Sequence, residues 1–213
     1  MSRPNDIGGR PGFGPIPRPD GSEPVFHADW EGRLFGMILA TRGNWTIDMF
    51  KGARERDAQD EYLRRGYFAN FLAGFERVLA ESGLVTAEEL ATGRAESTRV
   101  AAPVSRPPGL EWSFMPRPKT SKPARFKIGD RVRGAIREPR GHTRQPGYVQ
   151  GRVGVIVEDH GVHRFPDLSA EGVIEGQHLY TVSFEAGELW GDNADGRGAV
   201  LVDLFDDYLE PAA

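Results

Sequence analysis

The sequence contains no cysteine. A chain without thiols cannot form a disulfide, use a thiolate nucleophile or hold a metal ion through sulfur. If this protein takes part in chemistry at a thiolate-bound metal, the thiolates must therefore come from another chain.

Long apolar runs and an excess of basic charge are also missing. No apolar stretch approaches the roughly 20 residues that span a bilayer, and residues 1–10 are polar and glycine-rich, unlike a secretory signal. The formal net charge is −4, which gives no attraction to nucleic acid or to an anionic membrane. We therefore expect a cytoplasmic protein with neither nucleic acid nor a membrane as a partner.

The 16 prolines are concentrated in two segments that leave little room for regular structure. Six lie between Pro4 and Pro24, and another six lie between Pro103 and Pro123. Proline disrupts helices and central strands. The sequence therefore predicts four parts: an extended arm at 1–26, a helical domain at 27–92, a proline-rich linker at 93–122 and a strand domain at 123–213.

Helical spacing dominates the segment between the two proline-rich parts. Apolar residues recur every three or four positions from Asp29 to Arg42 and from Asp60 to Ser82, which predicts two amphipathic helices. A shorter helix is expected from about Thr46 to Arg56. The sequence Thr86-Ala87-Glu88-Glu89 has the spacing of a capping box and predicts a further short helix.

The residues after Arg125 change to the pattern of β-strands. Segments rich in β-branched and aromatic residues occur at 126–132, 152–157, 179–184 and 199–204. Several short strands separated by glycine-rich turns within about 90 residues are typical of a small barrel. The predicted fold is α+β, with an N-terminal extended arm and helical domain followed by a C-terminal SH3-like β-barrel.

The N-terminal arm has two interpretations. Its glycines and prolines are typical of a disordered tail. However, Ile7, Phe13 and Ile16 give it apolar surface that a solvated tail does not need. They favour the alternative, an extended arm that a partner chain orders.

Several short motifs follow one another along nearly the whole chain. They include Asp6-Ile7-Gly8-Gly9, Gly12-Phe13-Gly14-Pro15, Glu23-Pro24-Val25-Phe26-His27, Asp29-Trp30-Glu31, Glu61-Tyr62-Leu63, Gly141-His142-Thr143-Arg144, Gly151-Arg152-Val153-Gly154, Phe165-Pro166-Asp167, Leu179-Tyr180-Thr181-Val182, Glu188-Leu189-Trp190-Gly191 and Asp206-Asp207-Tyr208-Leu209. In this order they resemble the β subunits of nitrile hydratases. Each motif alone is weak, but their order makes the resemblance specific.

The resemblance implies a subunit of a two-chain hydro-lyase. In such enzymes the α subunit holds a non-corrin Co(III) or a low-spin Fe(III) through cysteines, two of them oxidised to a sulfenate and a sulfinate. The complex adds water to a small nitrile and gives an amide. The implied partner is thus a bacterial α subunit in a heterodimer, often paired into a heterotetramer, while this chain binds no cofactor and is inactive alone.

Arg144 and His142 are the first candidate site residues. Oxidised cysteines carry negative charge and need strong, fixed hydrogen-bond donors. The planar fork of an arginine suits two oxygens and keeps its charge. In the family the arginine of the Gly-His-Thr-Arg motif is such a donor, which implies a catalytic role for Arg144, and the histidine, here His142, joins the surrounding hydrogen-bond network.

Lys51 follows Phe50 at the position where the family has a second arginine. Lysine keeps the positive charge but lacks the planar fork. Three interpretations stay open: Lys51 acts as a catalytic point charge, Arg54 one helical turn later takes the role, or Lys51 is a solvated lysine of an altered enzyme.

The resemblance implies roles for four more residues. Glu55 corresponds to an acidic residue that pairs with the basic cluster, and Tyr67 corresponds to a tyrosine that hydrogen-bonds towards the partner's site. Phe68 and Phe71 lie on the helix face that lines the substrate pocket in the family, although the spacing of Phe71 suits a core position equally well.

Two other classes of function fit parts of the sequence. A metallochaperone, or activator, of a nitrile hydratase α subunit would resemble the helical part and tolerate the loss of one arginine, but it would not need the strand domain. An adaptor built on an SH3-like barrel would bind its ligand alone, whereas a subunit would turn its arginines towards an acidic partner. The adaptor's basic residues would be Arg131, Arg133, Arg137, Arg140, Arg144 and Arg152.

Overall fold

A computed structural model describes residues 3–18, 21–96, 118, 120–139, 141–191 and 198–212. The chain divides into two compact units, which we name the helical unit, Arg3–Phe114, and the strand unit, Met1–Ser2 with Met115–Ala213. Most of the predicted linker at 93–122 lies outside the described residues, and the predicted domain boundaries stay a prediction.

Two helices of the helical unit begin at threonine N-caps. The side chains of Thr46 and Thr86 accept hydrogen bonds from the main-chain N–H groups of Met49 and Glu89, as helix N-caps do. Within the described ranges, every helix is too short or too polar to cross a lipid bilayer. The helices of this unit are α1 (Asp29–Thr41), α2 (Ile47–Arg54), α3 (Gln59–Arg64), α4 (Tyr67–Glu81) and α5 (Ala87–Thr92).

The core of the helical unit forms where α1 and α2 pack on α4. Its buried side chains are Leu34, Ile38, Trp45, Phe50, Ala53, Phe75 and Val78. Gly74 permits the close approach of α2 to α4, because a Cβ atom at this position would lie 2.2 Å from Cγ of Arg54. The predicted apolar faces are confirmed in part: they supply Leu34, Ile38, Phe75 and Val78 to the core, whereas Trp30, Met37 and Leu72 are exposed. The packing constraint at Gly74 is not revealed by the spacing.

The single long helix predicted from Asp60 to Ser82 is wrong, because the structure has two helices, α3 and α4. The chain leaves helical geometry at Arg65, where ψ is 139°, and at Gly66, where ψ is 166°. Glycine has a low helix propensity. The side-chain amide of Asn70 also donates a hydrogen bond of 2.8 Å to the carbonyl of Tyr62, which satisfies one of the free carbonyls at the end of α3.

The predicted arm contains no helix or strand among its described residues. Its first part contacts α3, since the side chain of Gln59 donates a hydrogen bond to the carbonyl of Pro4 and accepts one from Arg10. Farther along, Phe13 and Ile16 are 57% and 92% exposed. The arm therefore carries apolar side chains that this chain leaves in solvent.

The strand unit is a sheet with short helices and turns between its strands. Its helices are α6 (Pro166–Ser169) and α7 (Ala186–Trp190), and 3₁₀ turns span Gly147–Val149 and Asp206–Tyr208. We name the second of these the Tyr208 turn. The strands are β1 (Thr120–Ser121), β2 (Arg131–Gly134), β3 (Val153–Arg164), β4 (Glu175–Glu185), β5 (Ala199–Phe205) and β6 (Leu209–Pro211).

Antiparallel pairing joins the strands in the order β6, β2, β3, β4 and β5, while β1 adds a short parallel pair to β4. The strands predicted at 152–157, 179–184 and 199–204 are confirmed, and β3 and β4 extend beyond the predicted segments. Together with the helices, this sheet confirms the α+β class.

The predicted closed barrel is not confirmed. In the part of the chain that the structure describes, no ladder of hydrogen bonds joins β5 to β6, so the sheet is open. These two strands lie at opposite ends of the antiparallel order, yet only the Tyr208 turn separates them along the chain. The turn, and not a ladder, connects the two edges.

Tyrosines occupy the centre of the strand unit together with aliphatic residues. The fully buried side chains include Val132, Val149, Ile156, Tyr180, Val182, Phe184, Leu204, Tyr208 and Leu209. A buried tyrosine needs a hydrogen-bond partner for its hydroxyl. These partners link the core to the loops around it.

Asp57 connects the turn after α2 to α4 through two arginines. Arg77 donates hydrogen bonds to both carboxylate oxygens and to the carbonyl of Ala53, and Arg65 donates to one carboxylate oxygen. The hydrogen bond from Arg77, followed by that from Arg65, holds the pKa of Asp57 below its usual range. The side chain of Asp57 is only 13% exposed, so this contact is shielded from solvent.

We expect Asp57→Asn to destabilise the protein by about 1–3 kcal/mol at neutral pH, the usual range for hydrogen bonds to a charged group. A carboxyl group with a lowered pKa stabilises the folded state above its unfolded pKa, and this stabilisation is lost as the pH falls through the folded pKa. The difference in the free energy of unfolding between wild type and variant should therefore shrink as the pH falls through and below the ordinary aspartate range.

Urea unfolding of both proteins from neutral to acid pH measures this difference. Glu76→Gln, which removes an exposed carboxylate from α4, is the control. A difference that does not change with pH would contradict a stabilising ion pair at Asp57.

Candidate functional site

The Gly-His-Thr-Arg motif lies in the segment between β2 and the first 3₁₀ turn. We name residues 141–145 the Arg144 loop. Among the described residues, the main-chain groups of Thr143, Arg144 and Gln145 make no hydrogen bond to the main chain of a strand. His142 and Gln145 are buried, whereas Arg144 is exposed. Side chains therefore hold the loop, which presents its arginine to solvent.

Tyr208 holds the Arg144 loop from inside the core. Its hydroxyl accepts a hydrogen bond of 3.0 Å from the main-chain N–H of Arg144 and another of 3.3 Å from the hydroxyl of Thr143. Its carbonyl accepts hydrogen bonds from the main-chain N–H of Ala135, at 2.8 Å, and from the side-chain amide of Gln145, at 3.3 Å. Because Tyr208 is fully buried, these contacts fix the main chain of Arg144 to the core.

Asp167 completes the surroundings of the Tyr208 hydroxyl. Its carboxylate accepts a hydrogen bond from that hydroxyl and lies 3.5 Å from the guanidinium of Arg137. Burial raises the pKa of Asp167, while the hydrogen bond from Tyr208 and the charges of Arg137 and His142 oppose the rise. Burial, and then the charge of Asp167, also raise the pKa of Tyr208 above its usual range, so the phenol stays neutral and keeps its proton for donation.

Charged contacts fix the Tyr208 turn itself. The side chain and the main-chain N–H of Arg125 both donate to the carboxylate of Asp206, which is buried. Lys122 donates a hydrogen bond of 2.9 Å to the carboxylate of Asp207. Tyr208 therefore belongs to a turn whose position does not depend on the Arg144 loop.

The guanidinium of Arg144 projects from this fixed main chain. Among the described residues, none forms a salt bridge or hydrogen bond with its side chain. An exposed guanidinium on a fixed main chain can bind an anion supplied from outside the chain.

In the helical unit, Lys51, Arg54 and Glu55 lie at the end of α2. Glu55 is buried and Lys51 is half-buried, four positions apart. The guanidinium carbon of Arg54 lies 4.1 Å from the centroid of the Phe71 ring, and its aliphatic part packs over Gly74. Arg54 is thus packed against α4, whereas Lys51 is not part of that contact.

Tyr67, Phe68 and Phe71 are in mutual contact at the start of α4. The Phe71 ring also lies 5.3 Å from the ring of the buried Phe50. The Phe68 ring instead packs on Phe26 at the end of the arm, at 5.3 Å between centroids. Phe71 therefore borders the core of the helical unit, and Phe68 borders the arm.

A pocket of about 630 Å³ opens beside Phe68. Its wall comes from the end of the arm and the first turns of α1 and α4, and includes Val25, Phe26, Glu31, Phe35, Tyr67 and Phe68. Phe71 does not belong to this wall as far as the described residues show. A mostly apolar pocket of this size accommodates a small organic molecule.

The predicted site residues thus fall into two groups. His142 and Arg144 share the Arg144 loop of the strand unit. The others lie in the helical unit, at the end of α2 and the start of α4, and are Lys51, Glu55, Tyr67, Phe68 and Phe71.

The side chains around Arg144 do not form a metal site. Within the described ranges, no three His, Asp or Glu side chains come together as metal ligands. Besides His142, the loop offers the guanidinium of Arg144 and main-chain N–H groups, which donate hydrogen bonds and therefore suit an anion.

The contacts of Tyr208, Asp167 and Arg137 around the Arg144 loop are not evident from the sequence. Tyr208 and Asp167 stand in two of the quoted motifs, Asp206-Asp207-Tyr208-Leu209 and Phe165-Pro166-Asp167. The hydrogen bond between Tyr208 and Arg144 joins residues 64 positions apart, and the one between Tyr208 and Asp167 joins residues 41 positions apart. Motifs show which residues are present, but not which of them meet.

Family models match both halves of the chain. The model for the nitrile hydratase beta subunit, N-terminal part, matches residues 1–115, and the model for its C-terminal part matches residues 115–211. These matches first define the class, a subunit of a hydro-lyase that acts as a complex. The chain belongs to the nitrile hydratase β-subunit family.

Known relatives agree over almost their full length. The chain is 39% identical to the nitrile hydratase subunit beta of Pseudomonas putida, and the match covers 98% of each chain. It is 35% identical to the low-molecular weight cobalt-containing nitrile hydratase subunit beta of Rhodococcus rhodochrous, again over 98% of each chain. A solved recombinant apo-enzyme of thiocyanate hydrolase from Thiobacillus thioparus overlaps 45% of this chain and 82% of its own, at 24% identity and a TM-score of 0.42, which is too low to carry an argument.

Proposed function

We propose that this chain completes, without holding it, the metal centre of a nitrile hydratase α subunit, and that the complex hydrates small nitriles to amides. The Arg144 loop carries the proposal, because buried contacts fix the main chain of Arg144 while its guanidinium stays exposed. An anionic group on a partner chain needs a donor of this kind.

The proposed partner is an α subunit with a non-corrin Co(III) or a low-spin Fe(III), in a heterodimer that pairs into a cytoplasmic heterotetramer. Two relatives, from Rhodococcus rhodochrous and Pseudonocardia thermophila, have names that contain cobalt, which supports cobalt. When bound in the partner, the metal supplies Lewis acidity. Phe13 and Ile16 of the arm give such a partner apolar surface to cover.

The role that we propose for Arg144 is to bind oxygens of the partner's oxidised cysteines. Sulfenate and sulfinate oxygens are anionic, and the planar guanidinium donates to two of them without ever losing its charge. A donor that is fixed before the reaction needs no reorganisation during it, which lowers the barrier. His142, buried in the same loop, is proposed to connect this donor to the surrounding hydrogen bonds.

Lys51, and not Arg54, is proposed as the second cationic donor. The guanidinium of Arg54 covers the Phe71 ring and its aliphatic part fills the space over Gly74. Moving Arg54 would uncover both, and Lys51 is half-buried on the same helix one turn earlier. Glu55, one helical turn after Lys51 and buried, is proposed to pair with the cations of the site.

The pocket beside Phe68 is proposed to form part of the substrate-binding surface. Phe68 and Tyr67 belong to its wall, and Phe71 supports both rings from the core side. Tyr67 is 66% exposed, so its hydroxyl is proposed to donate towards the partner.

We also propose that the strand unit is an SH3-like barrel. The succession of β5, the Tyr208 turn and β6 supports this, because it carries the chain from one edge of the sheet to the other within a few residues. A sheet that coils far enough for such a connection approaches closure.

Arg144→Ala should lower kcat of the assembled enzyme by about 10²–10³, since losing a fixed donor to a half-buried anion costs about 2–4 kcal/mol. Arg144→Lys should also be costly, because it loses the fork. Lys51→Arg should keep or raise kcat, and Lys51→Ala should lie between Lys51→Arg and Arg144→Ala. The measurement is kcat on one good nitrile, with the metal content of every variant.

Arg133→Ala is the matched control, since Arg133 is an exposed arginine of β2 that donates to the carbonyl of Gly151. If Arg144→Ala keeps its full metal content and a nearly normal kcat, Arg144 is a surface residue. The mechanistic assignment is then wrong, although family membership stands.

Phe68→Trp should reduce kcat/KM for bulky aromatic nitriles more than for small aliphatic ones, because the larger ring fills the pocket. Phe71→Trp should shift the preference in the same direction but less, since Phe71 acts through its neighbours. The control is Leu72→Trp, at an exposed position of the same helix. An equal loss for all nitriles would point to core packing and not to a pocket wall.

Deleting residues 1–19 should weaken assembly far more than it alters the rest of the fold. Ile7, Phe13 and Ile16 would bury apolar surface on the partner, at roughly 25 cal/mol per Å² before ordering costs. The measurement is the yield of heterodimer when the α subunit is co-purified. Phe13→Ser combined with Ile16→Ser keeps the arm length and should reproduce most of the loss; an unchanged yield would mean that the arm is only a tail.

A further inference from the structure

We propose that Tyr208 and Asp167 are positioning residues for Arg144. This inference rests on the proposed function, because it assumes that the guanidinium of Arg144 acts at the partner's centre. It adds that the buried hydroxyl of Tyr208 and the carboxylate of Asp167 determine the position of that guanidinium, although both are shielded from solvent.

The Arg144 loop is held by side chains at its second half. Within the described ranges, the main-chain groups of Thr143, Arg144 and Gln145 make no hydrogen bond to the main chain of a neighbouring strand. The main-chain N–H of Arg144 donates instead to the hydroxyl of Tyr208. The side chain of Gln145 donates to the carbonyls of Ala135 and Tyr208. Side chains and the Tyr208 turn therefore define the path of the loop.

The hydrogen bonds of the Tyr208 hydroxyl have a defined direction. The Tyr208 hydroxyl has one proton, which it gives to Asp167, and its oxygen then accepts from Arg144 and Thr143. Without Asp167, the proton would have no fixed acceptor and could turn towards the loop, where it would oppose the N–H of Arg144. Arg137, near the carboxylate and 5.3 Å from the centroid of the Tyr208 ring, favours the ionised acceptor.

Tyr208 does not simply follow the Arg144 loop. Contacts of Arg125 with Asp206 and of Lys122 with Asp207 hold the turn through residues that lie outside the loop. A fixed turn can impose a position on a loop that lacks a ladder of its own. Because a displacement of about 1 Å in a catalytic group can lower a rate by about 10²-fold, this position is relevant to the reaction.

The experiment compares two variants that each remove one buried hydroxyl, in the purified α–β complex with its metal. Tyr208→Phe removes the hydroxyl and keeps the ring. Thr181→Val is the matched control, because the buried hydroxyl of Thr181 on β4 contacts Asp203 and His160 and neither the Arg144 loop nor the Tyr208 turn. We expect Tyr208→Phe to lower kcat by about 10- to 100-fold with KM within about threefold, and Thr181→Val to lower thermal stability but to keep kcat within about threefold.

A double-mutant cycle then tests whether Tyr208 acts through Arg144. In the Arg144→Ala background, adding Tyr208→Phe should cause little further loss of kcat, although its effect on thermal stability should be the same as in the wild type. An equal loss of kcat in both backgrounds would overturn the inference, since Tyr208 would then act on stability or metal content and not through the arginine.

The outcomes also separate this inference from the proposed function. If Arg144→Ala lowers kcat and Tyr208→Phe does not, only the positioning role is wrong. If Arg144→Ala leaves kcat normal, the role of Arg144 and the positioning role are both wrong.

If Tyr208→Phe does not assemble, Asp167→Asn tests the same contact more gently. The amide oxygen still accepts from Tyr208, but it lacks the negative charge. We expect kcat to fall by about 2- to 10-fold in the wild-type background and to change little in the Arg144→Ala background. A normal kcat for Asp167→Asn, or an equal loss in both backgrounds, would overturn the inference.

Discussion

The hydrogen bonds of the buried Tyr208 hydroxyl hold the candidate site around Arg144 together. The hydroxyl accepts from the Arg144 loop and donates to Asp167, which α6 carries. A buried polar group left without its partner costs about 1–3 kcal/mol, so the hydroxyl favours the positions of the loop and of α6 in which both of its contacts are made. Because this contact lies in the core, the fold of the strand unit fixes the main-chain position of an exposed arginine.

The main chain of Arg144 is fixed, whereas its side chain is not. The core fixes the main chain, whereas the guanidinium has no ligand within the described part of the chain and stays exposed. Binding an anion then orders only side-chain torsions, at a cost of up to about 2 kcal/mol, and leaves the loop unchanged. Phe13 and Ile16 are likewise exposed in this chain, and their apolar surface can be buried by a second chain.

Local features of the fold were predictable from the sequence, and features that depend on distant contacts were not. The spacing of apolar residues identified α1 and the faces of α4, because amphipathic packing imposes that spacing. The break at Gly66 was missed, since a single glycine does not end a helix unless other groups, here Asn70, satisfy the carbonyls that it frees. At the candidate site, the Gly-His-Thr-Arg motif predicts a role for Arg144, but its hydrogen bond to Tyr208 joins positions 64 residues apart. Our proposal of Lys51 over Arg54 depends on the packing of Arg54 over Gly74, which no local pattern encodes.

The two cations proposed for the site differ in how accurately each must be placed. A guanidinium donates in a plane and in fixed directions, so it binds two oxygens well only if its origin is held, and the contacts of Tyr208 hold Arg144. An ammonium is a point charge on a flexible stem with three rotating donors, and it tolerates displacement of its helix. Lys51 lies in the last turn of α2, and Arg54 of the same turn lies over the Phe71 ring of α4. A lysine is therefore chemically adequate at position 51. At position 144 a lysine would lack the planar fork that makes the fixed position of the main chain effective.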